Sequence, residues 1–155
     1  MEPRRYAESV VIARAAGELY DLVADVTRTG EWSPICQACW WDDPERGAVV
    51  GAEFTGRNVT PDRTWETRSR VVAADPCREF AWVVANGWVR WGYAFTPAGD
   101  GATTVTESWE FTAAGLDGFA EKYGDDADAQ IENRTTAAHH GIPRTLAAIK
   151  AIAEA

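Results

Sequence analysis

Along "TTVTESWEF", residues 103–111, polar and apolar side chains alternate. Thr104, Thr106, Ser108 and Glu110 form a wholly polar file, and Val105, Glu107, Trp109 and Phe111 form the other. A period of two belongs to a β-strand with one face buried. Comparable runs fill residues 36 to 112, separated by turn signals at 43–47, Thr60-Pro61-Asp62, Asp75-Pro76, Asn86-Gly87 and 97–101. Proline fixes φ while glycine and asparagine accept positive φ, so each cluster reverses the chain. Asn86-Gly87 is the sharpest of them, because a two-residue type I′ hairpin turn needs positive φ twice. Reversals this short join antiparallel neighbours, which predicts a six-stranded meander. Ahead of it, "RYAESVVIA" has the β-branched residues of an opening strand.

Elsewhere the period changes to that of a helix. "AAGELYDLVADV" places Leu19, Leu22, Val23 and Val26 at i, i+3, i+4 and i+7, a helix with one buried stripe. The last thirty residues repeat the spacing with Ile131, Thr135, Ala138, Ile142, Leu146, Ile149 and Ile152. This predicts a long C-terminal helix, kinked or interrupted at Gly141 and Pro143. Before it, "GLDGFAEKYGDDADA" reads either as a lid or as a packed connector carrying Leu116, Phe119 and Tyr123. Strand, helix, meander and long helix together make a single α+β domain over residues 1–155, in which a helix covers one face of a curved antiparallel sheet. No internal repeat or linker divides it.

Sorting the strands by parity puts particular groups on the buried side. Glu107 is a carboxylate in an apolar file. Burial without a partner drives a carboxylate toward its neutral form, which marks it as a candidate acid or base; a place near the strand end with water access, or a purely structural pairing with an arginine, is the alternative. Asn58 shares the inner file of Phe54 and Gly56. In "TWETRSRVV" the charged Glu66, Arg68 and Arg70 face one way and leave Trp65, Thr67, Ser69 and Val71 inside. Small hydroxyls beside one large ring suit a hollow better than a packed core. Val89, Trp91, Tyr93 and Phe95 form the next inner file, with Trp88 and Arg90 outside. Trp82 lies in a strand apolar on both faces, so its direction stays open. On the long helix, Arg134 and His139 flank the buried stripe and are expected within reach of Glu107, with a surface position the alternative for His139. Adjacent helix positions differ by about 100°, so at most one of His139 and His140 looks inward.

Charge narrows the partners. Fifteen basic against 24 acidic residues leave a formal net charge of −9, a field that repels phosphate backbones and anionic lipid, so neither nucleic acid nor membrane insertion is expected. No stretch approaches the ~18 apolar residues of a membrane span, the N-terminal segment lacks a signal-like apolar core, and a cytoplasmic location is expected. Three cysteines make no disulfide framework. Cys36 and Cys39 form a C-x-x-C pair within a strand, where regular alternation sends them to opposite faces. Thiols so placed neither chelate nor bridge, and they read as structural. Cys77, His139 and His140 lack the spacing that would complete a zinc site, so no metal is expected. No phosphate loop, dinucleotide fingerprint, Ser/His/Asp or Cys/His pattern is present, and no cofactor is expected. Eight tryptophans are the unusual count, since large rings line cavities as well as cores.

The order of elements, with "ADVTRTGEWSP" after the first helix, "VGAEFTGRN" at 50–58, "TWETRSRVV" at 64–72, "GATTVTESWEF" at 101–111 and "TLAAIKAIAEA" at the end, resembles the SRPBCC superfamily of polyketide cyclases/dehydrases and START-type lipid-transfer domains. The resemblance covers essentially the whole chain and rests on fold motifs, none of them a catalytic signature. It implies a helix-grip fold: a seven-stranded antiparallel sheet wrapped around the C-terminal helix, with two short helices closing one end, the second at Trp32-Ser33-Pro34. It also implies a cavity between sheet and helix for a small hydrophobic or aromatic molecule. Asn58, Trp65, Thr67, Ser69, Trp82, Trp91, Tyr93, Glu107, Trp109, Arg134 and His139 are its candidate lining. Two functions follow: ligand binding alone, or cyclase/dehydrase-type catalysis with Glu107 or His139 moving protons. A homodimer is compatible with either.

Overall fold

The computed structural model describes residues 2–155. Its strands are β1 (Arg4–Ile12), β2 (Cys36–Trp41), β3 (Glu53–Thr60), β4 (Arg63–Asp75), β5 (Glu79–Val84), β6 (Val89–Pro97) and β7 (Thr103–Phe111). Three helices accompany them: α1 (Ala16–Ala24), α2 (Ala113–Tyr123) and α3 (Ala127–Glu154). The strands make one antiparallel sheet in the order β1-β7-β6-β5-β4-β3-β2. The meander is as the turn signals predict, and the opening strand closes onto the last one.

Register carries the inward residues into rows across the sheet. Trp82 faces Trp91, Trp91 faces Trp109, and Trp109 faces Tyr6. In the neighbouring row Phe80 faces Tyr93, Tyr93 faces Glu107, and Glu107 faces Glu8. Burial along β7 alternates strictly, with Thr103, Val105, Glu107, Trp109 and Phe111 inside. Trp82, undirected by pattern, therefore lies on the inner face.

Over that face α3 lies against β1 and β7, and α1 against β5 and β6. The buried positions of α3 include Ile131, Ala138, Ile142, Leu146 and Ile149, the stripe that the spacing predicts. Of the kink or interruption expected at Gly141 and Pro143, the interruption does not occur, and the helix runs through Pro143. Pro143 removes one N–H from the ladder, yet Ile142, Leu146 and Ile149 on either side are buried to 3% exposure or less, and that packing holds the helix together.

The segment before α3 is a packed connector in helical form. Thr112 caps α2, its Oγ1 accepting from Gly115 N at 3.0 Å and donating to Gly87 O at 2.8 Å. Leu116 and Phe119 are buried, and a Cβ at Gly118 would lie 2.3 Å from the Trp88 ring. Trp88 thus packs beneath α2 rather than facing outward as alternation predicts. The reason is the turn. Val84 pairs with Val89, so four residues, not two, connect β5 to β6. Ala85, Asn86 and Gly87 all take positive φ, and the wider loop swings Trp88 out of the strand's parity.

β2 corrects the sequence reading of the cysteines. Cys36 pairs with Asn58, Ala38 with Arg57 and Cys39 with Gly56, with a register shift between Cys36 and Ala38. One extra residue in the strand resets its alternation. Cys36 and Cys39 consequently share the inner face with Trp41, while Trp40 is exposed. The short helix expected at Trp32-Ser33-Pro34 lies just ahead, as a 3-10 helix over Val26–Glu31.

Candidate functional site

Glu107 is 4% exposed at the centre of β7, held inward by strand parity between Val105 and Trp109. Its Oε1 is buried without a hydrogen-bond partner. Burial pushes the carboxyl pKa from 4.5 up to about 8, against a smaller downward pull from the nearby Tyr93 hydroxyl. Glu107 is therefore a neutral acid at neutral pH, which removes most of the penalty of enclosing it and leaves a proton to donate. Tyr93 is equally enclosed. Its phenol is raised well above its ordinary range by burial first and by Glu107 second, while the Trp32 side chain pulls it back. Trp32 and Glu107 thus both lie close to the Tyr93 hydroxyl inside an apolar face.

Aromatic rings continue from Tyr93 toward β2. Tyr93 meets Trp82 at 5.9 Å between centroids, Trp82 meets Phe54 at 5.8 Å, and Phe54 meets Trp41 at 5.5 Å. Trp41, Trp65, Thr67, Trp82 and Trp91 are only half-buried, because α3 lies over the β1–β7 side of the sheet. This leaves a partly open aromatic face that runs up to the buried carboxyl of Glu107.

Most of the sequence candidates meet here. Ser69, Trp82, Trp91, Tyr93, Glu107 and Trp109 share the inner face. Asn58, Trp65 and Thr67 lie toward the β3–β4 hairpin, where Asn58 Nδ2 donates to Thr67 Oγ1 at 3.2 Å and the Arg63 guanidinium covers the Trp65 ring at 4.6 Å. Asn58 is therefore tied to its own hairpin.

Arg134 and His139 do not reach Glu107. Arg134 donates to Gln130 Oε1 at 2.6 Å and sits over Phe119 at 5.3 Å, while exposed His139 stacks on Tyr6 with centroids 4.0 Å apart. Both flank the buried stripe at angles that lead along the helix surface. Tyr93 is the polar group that lies near Glu107 instead, directly across the ladder, without satisfying Oε1. The sequence places Trp32 only in the short helix closing one end; its approach to Tyr93 joins positions far apart in the chain.

Two surface grooves lie elsewhere. One of about 380 Å³ runs between β1 and α3, past Glu8, Val10, Pro143 and Lys150, and one of about 280 Å³ lies over Arg5, Arg90 and Ser108. Neither includes Glu107. Among the described residues no helix is long and apolar enough to cross a membrane.

Solved structures resemble this chain. A Polyketide_cyc-like protein from Corynebacterium glutamicum is 53% identical over 96% of this chain and 90% of its own, with a TM-score of 0.69. The di-domain ARO/CYC StfQ of the steffimycin biosynthetic pathway is 18% identical, covering 99% of this chain and 51% of that one at a TM-score of 0.69. Major latex-like protein 151 from Panax ginseng is 14% identical over 72% of this chain and 80% of that one, with a TM-score of 0.59. The last two share the fold alone. No curated protein matches. The family model described as polyketide cyclase / dehydrase and lipid transport matches residues 3–138. By that match, and by the helix-grip architecture that carries it, the chain belongs to the polyketide cyclase / dehydrase and lipid transport family of the SRPBCC superfamily.

Proposed function

We propose that the chain binds a small aromatic or hydrophobic molecule against the partly open aromatic face, its polar group oriented by the protonated carboxyl of Glu107. The unpartnered Oε1 carries this reading. A buried polar atom left unsatisfied costs about 1–3 kcal/mol, and a ligand hydroxyl or carbonyl at the buried end of that face would relieve it. The half-buried tryptophans supply the apolar contact area.

The test is a titration of tryptophan fluorescence with 1-naphthol and with naphthalene, which differ by one hydroxyl. Binding of 1-naphthol about tenfold tighter, ~1.4 kcal/mol, is expected, with Glu107→Leu bringing the two ligands level. Equal affinity in the unsubstituted protein would overturn the role of Glu107. Failure of both to bind would overturn binding at this face.

The pKa near neutrality favours one further reading. A group that holds its proton at pH 7 and releases it near pH 8 is suited to general acid–base work. In that reading the aromatic face folds a poly-carbonyl chain for condensation or dehydration, with Glu107 moving the proton. His139, stacked outside on Tyr6, takes no part. Glu107→Gln would then abolish turnover while leaving binding within about tenfold.

A further inference from the structure

The register shift in β2 creates a second chemical feature, independent of Glu107. Cys36 and Cys39 stand on one face, opposite Asn58 and Gly56. Those partners are two residues apart, so the cysteine Cα atoms are separated by about two strand rises, roughly 6–7 Å, the upper end of what a disulfide bridges, and closure draws them slightly together. Space for the sulfurs is built in: a Cβ at Gly56 would lie 3.2 Å from Cys36 Sγ. The shifted segment is fitted closely to the preceding helical turn, where a Cβ at Gly30 would lie 2.3 Å from Gln37 O. β2 is also an edge strand, bonded on one side only, and can move slightly without breaking a second ladder.

The two thiols are unequal. Cys36 is half-buried, whereas Cys39 is buried. The Cys39 side chain pulls the Cys36 thiol below its ordinary range despite burial, aided by the backbone at Ala38. The same pairing, with burial, pushes Cys39 up. A half-buried thiol with a lowered pKa beside a buried thiol with a raised one is the asymmetry of an attacking and a resolving cysteine. Among the described residues no group of three or more His, Cys, Asp or Glu side chains is placed to hold a metal ion, so exchange chemistry suits the pair better than chelation of zinc.

We infer that Cys36 and Cys39 form a dithiol site that reduces low-molecular-weight disulfides, closing a reversible bridge on the inner face of β2. The Cys36 thiolate attacks one sulfur of the small disulfide, forming a mixed disulfide and expelling one small thiolate. Cys39 then attacks the Cys36 sulfur. It gives its proton to the solvent, forms the Cys36–Cys39 bond and expels the second small thiolate. Two electrons pass from the protein to the small disulfide, which leaves as two thiols.

Cys77, exposed and on the β4–β5 turn, serves as an internal reference. In the unsubstituted protein near neutral pH, iodoacetamide should modify Cys36 ahead of Cys77; the reverse order would count against an activated thiolate and overturn the inference. Cys77→Ser protein treated with oxidised glutathione should lose two hydrogens by intact mass, carry no glutathione, and recover with dithiothreitol. Adding Cys39→Ser should trap one glutathione on Cys36. Unchanged mass in the Cys77→Ser protein, a mixed disulfide that never resolves, or glutathione uptake that survives Cys36→Ser would each overturn it. The mass and order-of-labelling readouts on chains retaining both cysteines do not depend on the folding of the Cys39 variant.

Discussion

Replacing Glu107 by Gln tests the central electrostatic claim without any ligand. Glutamine has nearly the shape of a protonated glutamate but cannot ionise. Folding raises the Glu107 pKa from 4.5 to about 8. Below about pH 4.5 the carboxyl is protonated in both states and pH does not distinguish them. Between about pH 4.5 and about pH 8 the unfolded chain releases the proton and the folded one keeps it, so stability falls as pH rises. Above about pH 8 both states are ionised and the loss is complete. At about 1.36 kcal/mol per pH unit, the full loss is roughly 4–5 kcal/mol, a large share of the 5–15 kcal/mol that holds a typical domain. The assay is urea unfolding of both proteins from about pH 5 to about pH 9. The stability of Glu107→Gln minus that of the unsubstituted protein should climb by about 1.4 kcal/mol per pH unit and level off above about pH 8. Differencing cancels the other titrating groups. A flat difference, or one that falls with pH, would refute the enclosed neutral carboxyl.

Two smaller perturbations follow from the same geometry. Tyr93→Phe removes the hydroxyl that pulls the Glu107 pKa down, so the climb in the same urea series should extend to higher pH; an earlier plateau would contradict the pairing. Gly118→Ala places a methyl 2.3 Å from the Trp88 ring and should cost about 1–3 kcal/mol by forcing α2 off its seat, read as a lower Tm with unchanged far-UV circular dichroism.

Much of this was readable in the chain, for identifiable reasons. The file of Val105, Glu107, Trp109 and Phe111 is visible because β7 keeps a strict period of two and the inner face is apolar. β2 is different: one extra residue between Cys36 and Ala38 inverts the parity of everything before it, and no local signal at Gln37 announces that. Similarly, Asn86-Gly87 declares a turn but not its length, and the positive φ at Ala85 is one that alanine's own preferences argue against. Alternation places Tyr93 on the inner file, yet its position opposite Glu107 depends on the β6–β7 register. That register is set by the whole loop from Ala98 to Ala102. For Arg134 and His139 the helical angle was too coarse to decide between cavity and surface.

The pairing of β1 with β7 has a consequence for how the chain assembles. Ser9 meets Thr106 across 97 residues of sequence and Arg5 meets Glu110 across 105, whereas β2 to β7 each pair with a neighbour in the chain. During synthesis at about 5–20 residues per second, the first strand waits for several seconds before its partner exists. The meander can form from local hairpins in that interval, but β1 and α3 can dock only at the end, and closure over so long a loop is intrinsically slow. The N-terminal strand, with Val10, Val11 and Ile12 at its tip, is thus the segment that the emerging chain leaves unpaired longest. It is where a chaperone or a second nascent copy would first find an open edge.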